Sequence, residues 1–167
     1  MNWLFWALFV IILVFALTAL TGAPYVPSKT SELRLAFKNL YKLGPKDLLV
    51  DLGSGDGVVL KAASDCGSRS FGVEINPFLV LLTKIRFARD KKVQIRCGNL
   101  FKIDFPAETT VVYIFGDNRD IKDMTAAIQK QANKLGRDLF VISHGFQIPD
   151  LKPVKKYRAY FLYKIKA

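Results

Sequence analysis

The sequence predicts an α/β domain built on a doubly wound, mostly parallel sheet and preceded by an apolar N-terminal segment. Three observations carry this. Short apolar strands alternate with helical stretches through residues 30–165, the pattern of a parallel sheet covered on both faces. The first strand, Leu48-Leu49-Val50-Asp51-Leu52, ends in a carboxylate and runs into the turn Gly53-Ser54-Gly55-Asp56-Gly57. Seventeen residues after Gly57, a second apolar strand ends in Glu74.

The first 28 residues carry no charge, and Trp3 to Leu20 is apolar apart from Thr18. As a helix this run would span about 27 Å, close to the roughly 30 Å hydrocarbon core of a bilayer. Trp3, Trp6 and Tyr25 flank it where interfacial aromatics belong. A cleaved signal peptide is the competing reading. No Lys or Arg precedes the run, however, and Pro24 follows the one small-residue site, Thr21-Gly22-Ala23. The expectation is a transmembrane anchor over 1–22, a proline-rich linker over 23–29 and a single domain over 30–167. Lys29, Arg34, Lys38 and Lys42 just beyond the anchor favour the cytoplasmic side for that domain.

Thr30 or Ser31 caps a first helix, with Glu32 in its first turn and Leu33, Ala36, Phe37, Leu40 and Tyr41 at helical spacing. Gly44-Pro45 ends it. A strand over 47–52 and a helix over 58–65 follow, then a strand over 70–75. Asn76 caps the next helix, with Pro77 in its first position, and the pattern carries it to Arg89. A strand is expected near 93–96. Thr110–Phe115 reads as a buried central strand, residues 119–135 as a helix ended by Gly136, and 138–143 as the fifth strand. Tyr157–Ile165 alternates as one long final strand. The stretch 144–156 is too short for a further helix, so the C-terminal half is a reduced one.

The net charge is +11, and the two cysteines, Cys66 and Cys97, share the chain with one histidine. That is neither a zinc set nor a disulfide framework, so no metal is expected and both thiols are read as reduced, in or near the core. Basic residues cluster at Lys84, Arg86, Arg89, Lys91, Lys92 and again at Lys152, Lys155, Lys156, Arg158. No aromatic-interleaved RNA motif accompanies them, so a solvated face near anionic lipid accounts for them better than nucleic acid.

The chemistry sits on the glycine turn. Glycines let backbone N–H groups approach a ligand closely, and an acid after the second strand suits ribose hydroxyls. Val58 stands where a dinucleotide fingerprint needs a small residue, and no Lys-Ser/Thr follows for a phosphate loop. A carboxylate at Asp51 would repel a pyrophosphate but suits a ligand bearing an ammonium and a sulfonium, as S-adenosylmethionine does. A glycine turn that merely reverses the chain is the plain alternative.

The pattern resembles the class I S-adenosylmethionine-dependent methyltransferases over roughly residues 30–165. The resemblance implies that Asp51, Gly53, Ser54, Gly55, Asp56 and Gly57 face the methionine portion and that Glu74 holds the ribose diol. Asn76 follows as part of the cofactor wall, and Asn99 and Leu100 lie beside adenine. Asn99 stands where the family usually has Asp, and its amide oxygen still accepts a hydrogen bond. The methyl acceptor would lie beyond the fourth strand, at Gly116-Asp117-Asn118. The absence of an Asn/Asp-Pro-Pro-Tyr/Phe run there argues against DNA-base or glutamine amines. Asp117 and Asn118 would orient an amine, or Asp117 caps the next helix; His144 would accept a proton, or serves as a turn residue. Tyr25 reaches the site if the proline segment folds over it.

The order of anchor, Ala23-Pro24-Tyr25-Val26-Pro27-Ser28, glycine turn, Glu74-Ile75-Asn76-Pro77 and Ile142-Ser143-His144-Gly145-Phe146 narrows the resemblance. It is similar to the small membrane-anchored protein-lysine methyltransferases that modify the adenine nucleotide translocase and the ATP synthase c-subunit. The implied activity is N-methylation of a lysine on a membrane or membrane-associated protein. Competing acceptors are a lipid or small membrane-soluble molecule, and RNA bound by a basic methyltransferase. A cofactor-binding scaffold without catalysis is the non-enzymatic alternative.

Overall fold

The computed structural model describes residues 3–10, 12, 30–116 and 120–167. A seven-stranded sheet forms the centre: β1 (Leu48–Leu52), β2 (Arg69–Glu74), β3 (Val93–Cys97), β4 (Val111–Phe115), β5 (Leu139–His144), β6 (Lys155–Tyr157) and β7 (Tyr160–Ile165). Its order is β3-β2-β1-β4-β5-β7-β6. β1 pairs in parallel with β2 and β4, β2 with β3, and β4 with β5. β7 runs antiparallel between β5 and β6. The order reverses between β1 and β4, which opens a crevice at the carboxyl ends of the strands.

Helices α1 (Thr30–Leu40), α2 (Val58–Asp65), α3 (Pro77–Arg86) and α4 (Ile121–Leu135) complete the domain. β1 is buried along its whole length, as a strand covered on both faces must be. One core cluster joins Val50, Leu52, Val112 and Ile114 to Ile121, Met124 and Ile128 of α4. The other joins Leu49, Tyr113, Ile142 and Tyr160 to Leu33, Phe37 and Leu40 of α1 and Val59, Ala62 and Ala63 of α2. Alternate residues of one strand thus feed opposite layers.

Most sequence expectations hold to within one or two residues, with three corrections. The last stretch is a hairpin rather than one long strand. Arg158, with φ 52°, turns the chain between β6 and β7 without the glycine that usually marks such a turn. α3 stops at Arg86, three residues before the expected end, because Phe87 leaves helical geometry and caps it. Cys97 is exposed on the edge strand rather than in the core, and Cys66 is half-buried; both are free thiols. The expected anchor falls mainly on residues outside those described, as does the linker over 23–29. Residues 3–10 are helical, with Trp3, Phe5 and Trp6 exposed. Among the described residues no helix is long and apolar enough to cross a membrane.

Candidate active site

The turn after β1 is held from three sides. The N–H groups of Gly53 and Ser54 donate to the Val73 carbonyl at 2.9 and 3.0 Å. Gly53, Gly55 and Gly57 have φ of 82°, 53° and 79°, values that L side chains rarely adopt. Gly57 carries a second constraint, since a Cβ there would lie 2.8 Å from Phe87 and 2.9 Å from Thr83. Helix α2 starts at Gly57 with no side chain capping its first N–H groups, so its partly positive end faces the crevice.

Glu74 bridges this turn to the next helix. Its Oε2 accepts from the Gly55 N–H at 2.9 Å, and its Oε1 accepts from the Asn76 N–H at 2.8 Å. Asn76 in turn caps α3 by accepting from the Phe78 N–H at 2.9 Å. Each carboxylate oxygen keeps a lone pair for a ligand hydroxyl.

Asp51 is only 2 % exposed. Burial pushes its carboxyl well above the ordinary range, and the nearby Glu74 and Asp56 carboxylates push it further the same way. Among the described residues, three buried side-chain polar atoms find no hydrogen-bond partner: Asp51 Oδ2, Ser54 Oγ and Tyr160 Oη. Ser54 belongs to the glycine turn and Asp51 to the strand that enters it. An unpaired buried carboxyl costs free energy. The unpartnered Asp51 Oδ2 and Ser54 Oγ leave hydrogen-bonding capacity beside the turn, and the Glu74 and Asp56 carboxylates there disfavour a phosphate.

A second group lies at the ends of β4, β5 and β7, where strand register aligns Phe115, His144 and Tyr160. The His144 ring stacks on Tyr160, 4.2 Å apart and 9° from parallel, and Phe115 lies 5.1 Å away. His144 Nδ1 is 3.1 Å from the Tyr113 hydroxyl. Burial lowers the imidazole pKa, against a smaller opposing pull from the Glu32 carboxylate. Burial, with Glu32 adding to it, pushes the Tyr160 hydroxyl up to about 12. Burial thus favours the neutral form of an imidazole held against aromatic rings.

The structure brings Asp51, Gly53, Ser54, Gly55, Asp56, Gly57, Glu74 and Asn76 together. Asn99 is exposed after β3, where its Oδ1 accepts from the Phe101 N–H at 2.9 Å, and Leu100 packs half-buried on the core. Tyr25, Asp117 and Asn118 lie outside the described residues. Sequence reasoning missed the support supplied by α3. Thr83 donates to the Gly55 carbonyl at 3.3 Å, and Arg86 donates to the Asp56 carbonyl at 3.0 Å. Their spacing of three residues on one helix face was the available signal. Tyr160 offered none, because only the β5–β7 pairing brings it to His144.

Residues 51–155 match the ANTKMT methyltransferase domain. The chain is 30 % identical to a lysine N-methyltransferase of the ATP synthase c-subunit from Xenopus laevis, over 78 % of this chain and 56 % of that protein. It is 29 % identical to a protein-lysine N-methyltransferase of Saccharolobus islandicus, over 78 % of this chain and 81 % of the other. The chain spans little more than half the length of the Xenopus relative. An RNA methyltransferase of Salinibacter ruber, solved with S-adenosyl-L-homocysteine, superposes with a TM-score of 0.74. The two are 26 % identical, covering 84 % of this chain and 94 % of that one.

Proposed function

The chain belongs to the ANTKMT methyltransferase-domain family, and from that premise we propose that it methylates a lysine amine, using S-adenosylmethionine, on a membrane or membrane-adjacent protein. The observation that carries the reading is the buried Asp51 carboxyl, whose Oδ2 finds no partner, beside a glycine turn that Glu74 spans. Relatives named as lysine N-methyltransferases support the acceptor class.

The Gly53–Gly57 turn, with Asp51 behind it, would hold the methionine portion; Glu74 would take the ribose diol, with Asn99 and Leu100 beside the base. When bound, the cofactor supplies an electrophilic methyl on a sulfonium. A lysine amine of pKa near 10.4 is almost wholly protonated at pH 7, so the chain must desolvate it, aim it and remove a proton. His144 is the candidate for that last task. In the tautomer whose Nδ1–H donates to the Tyr113 oxygen, Nε2 keeps its lone pair. Phe115, part-buried beside His144, would supply ring surface for an alkyl-ammonium chain, while the buried Tyr160 ring backs the imidazole. Asp117, Asn118 and Tyr25 remain proposed acceptor-site residues.

The same reading includes a single-pass anchor over 1–22 with the domain on the cytoplasmic side. The uncharged N-terminal run and the exposed aromatic side chains at Trp3, Phe5 and Trp6 support it. RNA is the second acceptor reading, favoured by the net charge of +11 and by the Salinibacter likeness.

Calorimetric titration of the full chain in detergent with S-adenosylmethionine tests the site, and absence of binding removes the proposal. Membranes from cells with and without the chain, given labelled cofactor, then report the acceptor. Label on lysine in protein is expected. Label wholly in lipid or RNA would transfer the reading to those acceptors.

A further inference from the structure

We infer that the outer face of α3, with the adjoining β3 edge, is a docking surface for an anionic lipid bilayer. The inference is separate from the identity of the methyl acceptor and from the N-terminal segment.

The apolar stripe of α3 points away from the protein. Leu81, Leu82 and Ile85 are 54, 43 and 65 % exposed, while the small Val80 and Thr83 face inward. A hollow of about 360 Å³ between α3 and β3 adjoins this surface toward the sheet edge, its lining divided between apolar Phe87, Val93 and Ile95 and polar Thr83, Lys84 and Gln94. A soluble helix normally buries such a stripe, and an exposed apolar patch rimmed by polar groups marks an interaction site.

Charge selects the occupant. Residues 75–102 carry seven Lys and Arg against one acid, Asp90. That acid is engaged by the Ser64 hydroxyl and the Lys92 N–H. Lys84, Arg89, Lys91, Arg96 and Lys102 are exposed and form no ion pair among the described residues. An apolar stripe inside a basic collar is the composition of a helix that lies in the interface of an acidic membrane. A second copy meeting this face about a two-fold axis would set two basic collars against each other. A nucleic acid would satisfy the collar and leave the leucines wet. A sheet of anionic headgroups over acyl chains satisfies both at once.

The test uses the full chain carrying Cys66→Ser and Cys97→Ser, with an environment-sensitive fluorophore on Leu82→Cys or, as control, on Lys130→Cys of α4. Each is mixed with brominated phosphatidylcholine vesicles, with or without about one-quarter phosphatidylglycerol. The Leu82 label is expected to be quenched in the acidic vesicles. That quenching should be at least about halved in roughly 1 M salt, where the screening length is about 3 Å. The Lys130 label should stay unquenched. Equal quenching at both positions, or in both lipids, overturns the inference. So does a dimer, seen by sedimentation, that Leu81→Glu dissolves, since it would assign the stripe to a second copy.

Discussion

Helices α1 and α3 carry the same apolar spacing and meet opposite environments. In α1, Leu33, Ala36, Phe37 and Leu40 fall at i, i+3, i+4 and i+7, and all four are buried against the sheet. In α3, Phe78, Leu81, Leu82 and Ile85 fall at the same intervals, yet Leu81 and Ile85 are more than half exposed. The reason lies on the other side of each helix. α3 must approach the glycine turn, and Gly57 leaves room only for Thr83 and Phe87. Its small inner row is therefore taken by the site, and its large outer row is left for something else. An apolar period identifies a face that leaves water without saying what that face meets.

The largest expected effect separates the two stripes directly. Phe37 packs edge-on against Tyr113, with ring centroids 6.4 Å apart. Phe37→Ala should cost about 3–5 kcal/mol, lowering Tm by some 2–4 °C for each kcal/mol. Leu82→Ala should stay within about 0.5 kcal/mol in the absence of membrane. Thermal melts of both variants decide this, and comparable losses would mean that the α3 stripe is covered in solution.

Next in size is Gly57→Ala, which tests the inner row. It adds left-handed backbone strain of about 1–2 kcal/mol and crowding of about 1–3 kcal/mol against Phe87 and Thr83. Gly53 has the same handedness but nothing within 4 Å of where a Cβ would stand, so Gly53→Ala should cost the strain alone. A denaturant series on the two variants measures the difference, which is the packing of α3 on the turn.

Asp51→Asn should act in the opposite direction. The Asp51 carboxyl is pushed up by burial first and then by Glu74 and Asp56. Its ionisation therefore opposes folding from about pH 4, where the unfolded carboxyl titrates, up to its raised folded value. Wild type should lose stability over that window as pH rises, whereas Asp51→Asn should not. Removing the ionisable group should make the ligand-free chain more stable than wild type toward the upper end of that window while weakening binding of S-adenosylmethionine. Melts across pH, paired with titration calorimetry, check both signs. A variant less stable than wild type at every pH would mean that Asp51 is structural.

Much of this site was legible because it is local. Asp51, the three glycines and Glu74 are consecutive or one crossover apart, and each residue type answers a backbone or charge demand. The parts that escaped reading come from distant chain. Thr83 reaches Gly55 across 28 residues, and Tyr160 meets His144 only through antiparallel pairing. The β6–β7 turn was hidden because Arg158 takes a left-handed conformation that sequence assigns to glycine or asparagine. The exposed α3 stripe was hidden for another reason: its pattern is identical to that of a core helix.

The finest test of the two rows of α3 compares neighbouring residues. Thr83→Val keeps the buried shape but deletes the donor to the Gly55 carbonyl, and should cost about 0.5–1.5 kcal/mol. Because that carbonyl belongs to the turn whose N–H Glu74 holds, the loss should also weaken cofactor binding. Leu82→Thr, one residue away, should leave stability and cofactor binding as they were and reduce only retention on acidic vesicles. Calorimetry and vesicle flotation on the pair read the two rows separately. If Leu82→Thr weakens cofactor binding as much as Thr83→Val does, the outer row is coupled to the turn and the division of labour within α3 fails.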